Sequence, residues 1–314
     1  MSPKTSSKIA KIIIIIASVA ALFYFMYWLW QRQPKEQPQP EPQSQNTQNQ
    51  IVENKNEEVT ITTTPADGAI VDNADSTLAI KTKAASFVAI FSNSFSQIAK
   101  TDSAGLVTQD EKFDSALNLI QISIFTDDFT KRIDKKIAIY TRNAKTPPSA
   151  NVVVAGTVKN IFQNVITVDS FGQDNKIKQD SATKINYPTP LPAAKKSATN
   201  NQDIRVGDYL IVLGKTGTVD EISALNIDIY RDSKPQIQKD IGQYLLLTPV
   251  KNNVFSAKGG SENQISEFTL NKNSQISKGG QTASATDITK GQKALIVFHP
   301  EADKKIADLI YLLP

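Results

Sequence analysis

The stretch from Ile12 to Trp30 carries no charged residue and is apolar on every helical face. At 1.5 Å per residue it is long enough to cross the hydrocarbon core of a bilayer as one helix. A helix that is apolar all round has no place on the surface of a soluble domain. Lys4, Lys8 and Lys11 precede the run; Arg32 and Lys35 follow it, partly offset by Glu36. The bias of cations to the N-terminal side predicts residues 1–11 in the cytoplasm and the C-terminal body outside. Tyr24, Tyr27, Trp28 and Trp30 gather at the far end, the headgroup level where amphipathic rings settle. The alternative is a cleaved signal peptide. Its apolar segment would be long, and Ala17, Ala20 and Ala21 lie inside the run, so no small-x-small site follows it. The expectation is an uncleaved single-pass anchor over 12–30 in the cytoplasmic membrane.

Cysteine is absent, so no disulfide staples an exported domain and no thiol nucleophile is available. Each domain must be held by its own core. The net charge of +4 is uneven: residues 1–35 carry +5, 36–57 carry −3, 58–150 carry −1 and 151–314 carry +3. The basic balance belongs mainly to the membrane flank. The near-neutral body argues against a nucleic-acid partner.

Residues 31–57 are rich in Pro, Gln, Glu and Asn with no apolar face to bury. They read as a disordered stalk of polyproline II character, extending roughly 3.1 Å per residue. Residues 58–146 alternate in the strand period: Val59, Ile61 and Thr63; Leu78 and Ile80; Phe87, Ala89 and Phe91, with polar partners expected between them; then Leu117–Phe125 and Ile133–Tyr140. Short strands at this spacing, punctuated by turns, predict a β-sandwich. The order of features is more specific: Pro65-Ala-Asp-Gly68, strands, Ser103-Ala-Gly105, then Leu117-Asn118-x-Ile120-x-Ile122. That layout resembles the exported bacterial immunoglobulin-like modules of the glucodextranase and surface types. The resemblance implies a fold; such modules serve as spacers, adhesive surfaces and sugar-binding faces alike.

After a short linker, AKTPPSA at 144–150, the chain repeats itself. Val158-Lys-Asn160 and Asn164-Val-Ile-Thr-Val168 return as Val250-Lys-Asn252 and Asn253-Val-Phe-Ser-Ala257. Thr183-Lys-Ile185 returns as Ser274-Gln-Ile276, and Asp203-Ile-Arg-Val-Gly207 as Asp287-Ile-Thr-Lys-Gly291. Ile222 and Ile306, like Leu225 and Leu309, lie at equal offsets from these glycines. The same order of echoes predicts a duplicated unit over 151–232 and 239–314. Closing about five short strands into a small barrel removes the sheet edges. The run from Gly156 to Ala224 resembles a small OB-like barrel family of unknown function, found in tandem in bacterial envelope proteins. The second unit departs at Gln292-Lys293, where the first has Asp208-Tyr209, and lacks the opening glycine. The first carries an insert, Tyr187–Ser197, read as a projecting loop.

Chemical motifs are sparse. The only histidine, His299, precedes Pro300 and reads as a hairpin-turn residue; a Ser-His-Asp triad would need it. One histidine and no cysteine make a zinc site improbable. Ser181-Ala-Thr-Lys184 and Lys215-Thr-Gly217 mimic penicillin-binding motifs. The serine motif needs a helix to set Lys one turn from Ser, and a strand is predicted there. Asp72-Asn-Ala-Asp75 and Asp127-Asp128 offer clustered oxygens but no known calcium-loop spacing. Asp220 and Glu221 are adjacent on a strand, so they face opposite ways and cannot flank one glycosidic bond.

The sequence therefore predicts an all-β ectodomain, an Ig-like sandwich plus two OB-like barrels, behind one membrane helix. No catalytic residue, cofactor or metal is assigned. The expected role is non-enzymatic display or interaction at the cell envelope, with an envelope protein as partner. The alternative is binding of cell-wall or extracellular glycan, which requires exposed aromatics; Phe87, Phe91, Phe95, Tyr209 and Phe298 are the candidates, in positions suited to a core. An envelope hydrolase is the third and least supported reading.

Overall fold

A computed structural model describes residues 60–313 except 73, 114, 127, 128, 130, 189–203, 218–220, 232–233 and 261–262. The anchor 12–30, the stalk 31–57, Asp127, Asp128, Asp203, Asp220 and most of the 187–197 insert lie outside the described residues. The described residues belong to one compact unit, Glu57–Pro314. They are all-β; among them the one helical element is a 3₁₀ turn at Ala285–Asp287.

The N-terminal part is a two-sheet sandwich. β1 (Thr62–Thr64), β3 (Asp75–Lys81) and β6 (Leu106–Lys112) form a three-stranded sheet. β2 (Ile70–Val71), β8 (Arg132–Thr141), β7 (Leu117–Phe125), β4 (Phe87–Phe91) and β5 (Ser96–Lys100) form the other, in that spatial order. Leu78, Ile80 and Val107 from the first sheet meet Val88, Ile90, Ile120, Ile122 and Ile137 from the second. The Pro65–Gly68 turn seats β2 beside β8: Asp67 accepts the Ala138 N–H at 2.8 Å, and Gly68 N donates to the Ala138 carbonyl at 2.9 Å.

One expectation is corrected here. Phe87, Ala89 and Phe91 have no polar partners between them; Val88 and Ile90 alternate with them, and all five are buried. Val88 and Ile90 enter the sandwich core, whereas Phe87, Ala89 and Phe91 point to the opposite face of the sheet. There they join Phe125 against Ile241, Leu295, Val297, Leu309 and Tyr311 of the C-terminal barrel. Further along the same sheet, Ala138 and Tyr140 pack on Val153, Ala155, Tyr209, Ile211 and Leu213 of the other barrel. A strand buried on both faces loses the period-2 signal that reveals a half-exposed one.

Each barrel is a closed ring of five strands. The first comprises β9 (Val152–Phe162), β10 (Val165–Ser170), β11 (Gln173–Lys178), β13 (Tyr209–Thr216) and β14 (Glu221–Tyr230). β11 closes it in parallel on β14, and the short β12 (Lys184–Asn186) extends the pairing. The second comprises β15 (Asp240–Leu246), β16 (Val254–Gly259), β17 (Gln264–Lys278), β19 (Lys293–Glu301) and β20 (Lys304–Leu312). Here β17 takes the places of both β11 and β12, with a register break between Leu270 and Gln275. β18 (Gln281–Thr282) hairpins onto its end.

The repeat is visible in individual hydrogen bonds. Thr183 Oγ1 donates to the Ala224 carbonyl at 3.0 Å, and Ser274 Oγ to the Ala307 carbonyl at 2.6 Å. Both hydroxyls sit in the same turn, closed by Asp180 in one barrel and Asn271 in the other. Gly207 and Gly291 have φ of +93° and +88°, and their N–H groups bond the carbonyls of Val158 and Leu246 at 2.9 and 2.8 Å. Two sequence alignments shift. Val158 corresponds to Leu246 and not Val250, because both bond the residue after the turn glycine. The last hairpin of the second barrel is one residue shorter, so Ala224 matches Ala307 and Ile227 matches Ile310; Ile222 does not match Ile306.

The connecting segments are clamped. Arg142 donates to the carbonyls of Pro147 and Ala150 and pairs with Asp72 at 2.6 Å. Asn93 grips the second connection from both sides, donating to the Gln236 carbonyl and accepting from Gln238 N, each at 2.9 Å. Arg132 adds a pair to Asp240 at 3.3 Å and a bond to the Ile241 carbonyl.

Candidate functional site

The residues singled out from sequence are not brought together. Ser181 lies in a turn and Lys184 on β12. Thr216 of the Lys-Thr-Gly motif is used structurally: its N–H donates to Asn151 Oδ1 at 3.0 Å, and its hydroxyl accepts from Asn151 Nδ2 at 3.2 Å. Asp72 is engaged by Arg142. Glu221 begins β14, opposite Lys176. Among the described residues, no three His, Asp or Glu side chains are grouped to hold a metal ion.

His299 is a strand residue and not a turn residue: it pairs with Ile306 on β20, and the turn lies beyond Glu301. Its Nδ1 is 2.8 Å from Asp308 Oδ2. Asp308 Oδ1 is 3.9 Å from Lys239 Nζ, which donates to Ser96 Oγ at 3.0 Å and to the Phe95 carbonyl at 3.3 Å. Burial pushes the Lys239 ammonium below its ordinary range, opposed by Asp308. The order is His–Asp–Lys–Ser. A serine oxygen that accepts from an ammonium is made less nucleophilic, so the chain ties β5 to the second barrel and does not assemble a triad.

A concavity of about 800 Å³ runs between the sandwich edge and the β17–β18 hairpin. Gln97 on β5 and Gln109 on β6 line one wall; Gln275, Ser277 and Thr282 line the other. Asp110 and Glu111 complete the first wall. Asp110 accepts from Thr77 Oγ1 at 2.7 Å. Glu111 shares the inward parity of Val107 and Gln109 on an edge strand, and burial raises its pKa to about 7. An inward carboxyl at an edge also discourages pairing with another chain. Sequence reading missed this wall. Its legible signal was Val107-x-Gln109-x-Glu111-x-Phe113, two polar side chains inside an apolar stripe.

The aromatic candidates are in the core or partly so: Phe87, Phe91 and Tyr209 are buried, and Phe298 packs at a T-shaped angle on Phe268. Among the described residues the exposed phenylalanine rings are Phe162, 69% accessible, and Phe171, 37%. No protein-family model matches this chain, and no curated protein matches it in sequence.

Proposed function

We propose that the chain is a single-pass envelope protein whose β-modules work without catalysis, displaying or joining other envelope components. Residues 12–30 anchor it in the cytoplasmic membrane, 31–57 form the stalk, the sandwich is an Ig-like module and the barrels are OB-like. The observation that supports this reading is the five-stranded sheet that packs on the sandwich core with one face and in part on both barrels with the other, Phe87, Phe91 and Phe125 under one barrel and Ala138 and Tyr140 under the other. Two such apolar junctions turn three modules into one stiff body, which suits transmission of position and load. The decisive experiment has two arms. Protease applied to the outer face of intact cells should remove a C-terminal epitope; survival of that epitope until the inner membrane is lysed refutes the orientation. The purified chain should release no fragments from peptidoglycan, polysaccharide or peptide, and a stoichiometric β-lactam adduct at Ser181 refutes the non-enzymatic reading.

A second reading, glycan binding, is favoured by the polar groove. Amide and hydroxyl side chains such as Gln97, Gln109, Gln275 and Ser277 match the donors and acceptors of a sugar.

A further inference from the structure

Three strand edges left open by the fold converge on the polar groove. β5, β6 and β18 are each the last strand of their sheets, and residues of all three line it. The edge of β6 can be followed bond by bond. Its register on β3 runs from Asp75 opposite Lys112 to Lys81 opposite Leu106. Beyond the two ends, Phe113 N donates to the Ala74 carbonyl at 2.9 Å and Thr82 N to the Gly105 carbonyl at 2.8 Å. In an antiparallel pair, hydrogen-bonded positions alternate with open ones. The odd-numbered residues from Gly105 to Phe113 therefore bond β3, while Thr108 and Asp110 turn their N–H and C=O groups away from it. Both residues are exposed, and among the described strands β6 pairs with β3 alone.

Such an edge is a template for one more strand: main-chain bonds give affinity, and side-chain chemistry gives the choice of partner. Among the described residues that line the groove, the ionisable ones are Asp110 and Glu111, both acidic. Glu111 is half-buried, and no cation or donor of the described residues offsets that burial. A strand added antiparallel to β6 places one residue directly opposite Glu111 in a non-hydrogen-bonded pair. There the Cα atoms lie about 4.5 Å apart and the two side chains share a face. A lysine or arginine at that position pairs with the carboxyl; an apolar or acidic residue leaves it half-buried and unpaired. The carboxyl that discourages indiscriminate pairing thus selects a basic strand. A sugar finds less to hold: the lining ring is Phe95, which packs against the sandwich core.

We propose that β6 accepts an extended basic segment of another envelope protein as an added antiparallel strand, seated in the groove between the sandwich and the second barrel. Thr108 and Asp110 supply the main-chain bonds, and Glu111 takes a lysine or arginine side chain. The proposal rests on the joining role given above and locates it on the fold. A segment bound there faces the β17–β18 hairpin, so docking engages the sandwich and the second barrel at once.

The test titrates the full chain in detergent with a blocked, fluorescently labelled peptide of alternating lysine and threonine, followed by anisotropy. Binding should saturate, and hydrogen exchange read by mass spectrometry should slow across Leu106–Lys112 of the unaltered chain. The fully N-methylated peptide keeps the charge and lacks the N–H donors; it should not bind. Glu111→Gln should weaken the parent peptide about tenfold, the loss of one charged hydrogen bond. Thr108→Pro should weaken it by a similar factor and leave the thermal midpoint nearly in place, because this N–H lies outside the ladder to β3. Equal binding of the N-methylated peptide, or exchange at Leu106–Lys112 that binding leaves unchanged, overturns strand addition. Undiminished affinity in Glu111→Gln overturns the basic specificity. Absence of saturable peptide binding overturns the docking edge, and saturable binding of chitotetraose in its place assigns the groove to glycan. The joining role itself is decided separately, by the protease and turnover measurements.

Discussion

The two barrels share one topology and fill it with different side chains. In the first, Val154, Ile166, Val168, Ile177 and Val212 make an aliphatic core. In the second, Tyr244, Phe255, Phe268 and Phe298 stack or meet edge to face at 4.9 to 6.4 Å between ring centres. By register, Tyr244 stands where the first barrel has Gly156, and Phe298 where it has Gly214. The volume gained is offset nearby. A Cβ on Gly242 would lie 2.7 Å from the Tyr244 ring, and one on Gly260 would lie 2.7 Å from its hydroxyl. Glycine also changes strands at the tight corner between the first two strands of each barrel. In barrel one it is Gly156, where a Cβ would lie 2.1 Å from the Asp169 carbonyl; in barrel two it is Gly259, 2.2 Å from the Gln243 carbonyl. The corner requires two backbones to touch, and either strand can supply the missing side chain. The glycine absent from the opening of the second repeat is therefore relocated across the ladder.

The sharpest way to break this comparison is to remove one ring. Phe268→Ala should cost about 3–5 kcal/mol, at or above the cost of Ile177→Ala at the matching site, about 2–5 kcal/mol. Chemical denaturation of the full chain measures both; a smaller loss at Phe268 would mean the aromatic cluster collapses around the gap. Next in size is the corner. Gly156→Ala and Gly259→Ala should each lose about 1–3 kcal/mol through backbone clash, whereas Gly172→Ala has open space and only its φ of +89° to oppose it. Equal thermal shifts for all three would remove the close-approach explanation.

The shared turn should give smaller, matched effects. Thr183→Val and Ser274→Ala each delete one hydroxyl bond to a barrel carbonyl and should cost about 1 kcal/mol apiece. Gly207→Ala and Gly291→Ala, where a Cβ meets nothing within 4 Å, should also cost about 1 kcal/mol through positive φ alone. A much larger loss on one side would show that the two turns have diverged in role.

An electrostatic effect distinguishes the sandwich edge from both barrels. Glu111 is held protonated up to a pH of about 7, against 4.5 unfolded. The folded state then binds more protons than the unfolded chain between these values, so stability falls as pH rises from about 4.5 to 7. Glu111→Gln should raise the thermal midpoint at pH 8 and leave it nearly unchanged at pH 4; an equal shift at both values would exclude titration of this carboxyl.

Much of the architecture was legible in the chain. Alternation marked the half-buried strands of the sandwich, and the Asp-Ile-x-x-Gly turns with their Thr183 and Ser274 partners revealed the duplication, because a positive-φ glycine and a turn hydroxyl leave local signatures. The alignment slipped where the barrels differ by one residue in a hairpin. Short β segments of similar composition match equally well in two registers, and only hydrogen bonding chooses between them. The polar groove was nearly silent, since Gln97, Gln109 and Gln275 come from three strands that only the fold makes neighbours.

The sequence by itself determined the all-β class, the repeat and the positions of the turn glycines, all of which follow from local backbone and side-chain preferences. Tertiary structure alone decided that Phe87, Ala89 and Phe91 face a barrel while Val88 and Ile90 face the sandwich core. It also decided that His299 reaches Asp308, and that the Tyr209 hydroxyl is buried without a partner. Each of these depends on which distant strand arrives at a surface. Burial of that kind is set by the sum of contacts across the whole chain, and the apolar pattern of any single strand is compatible with several such arrangements.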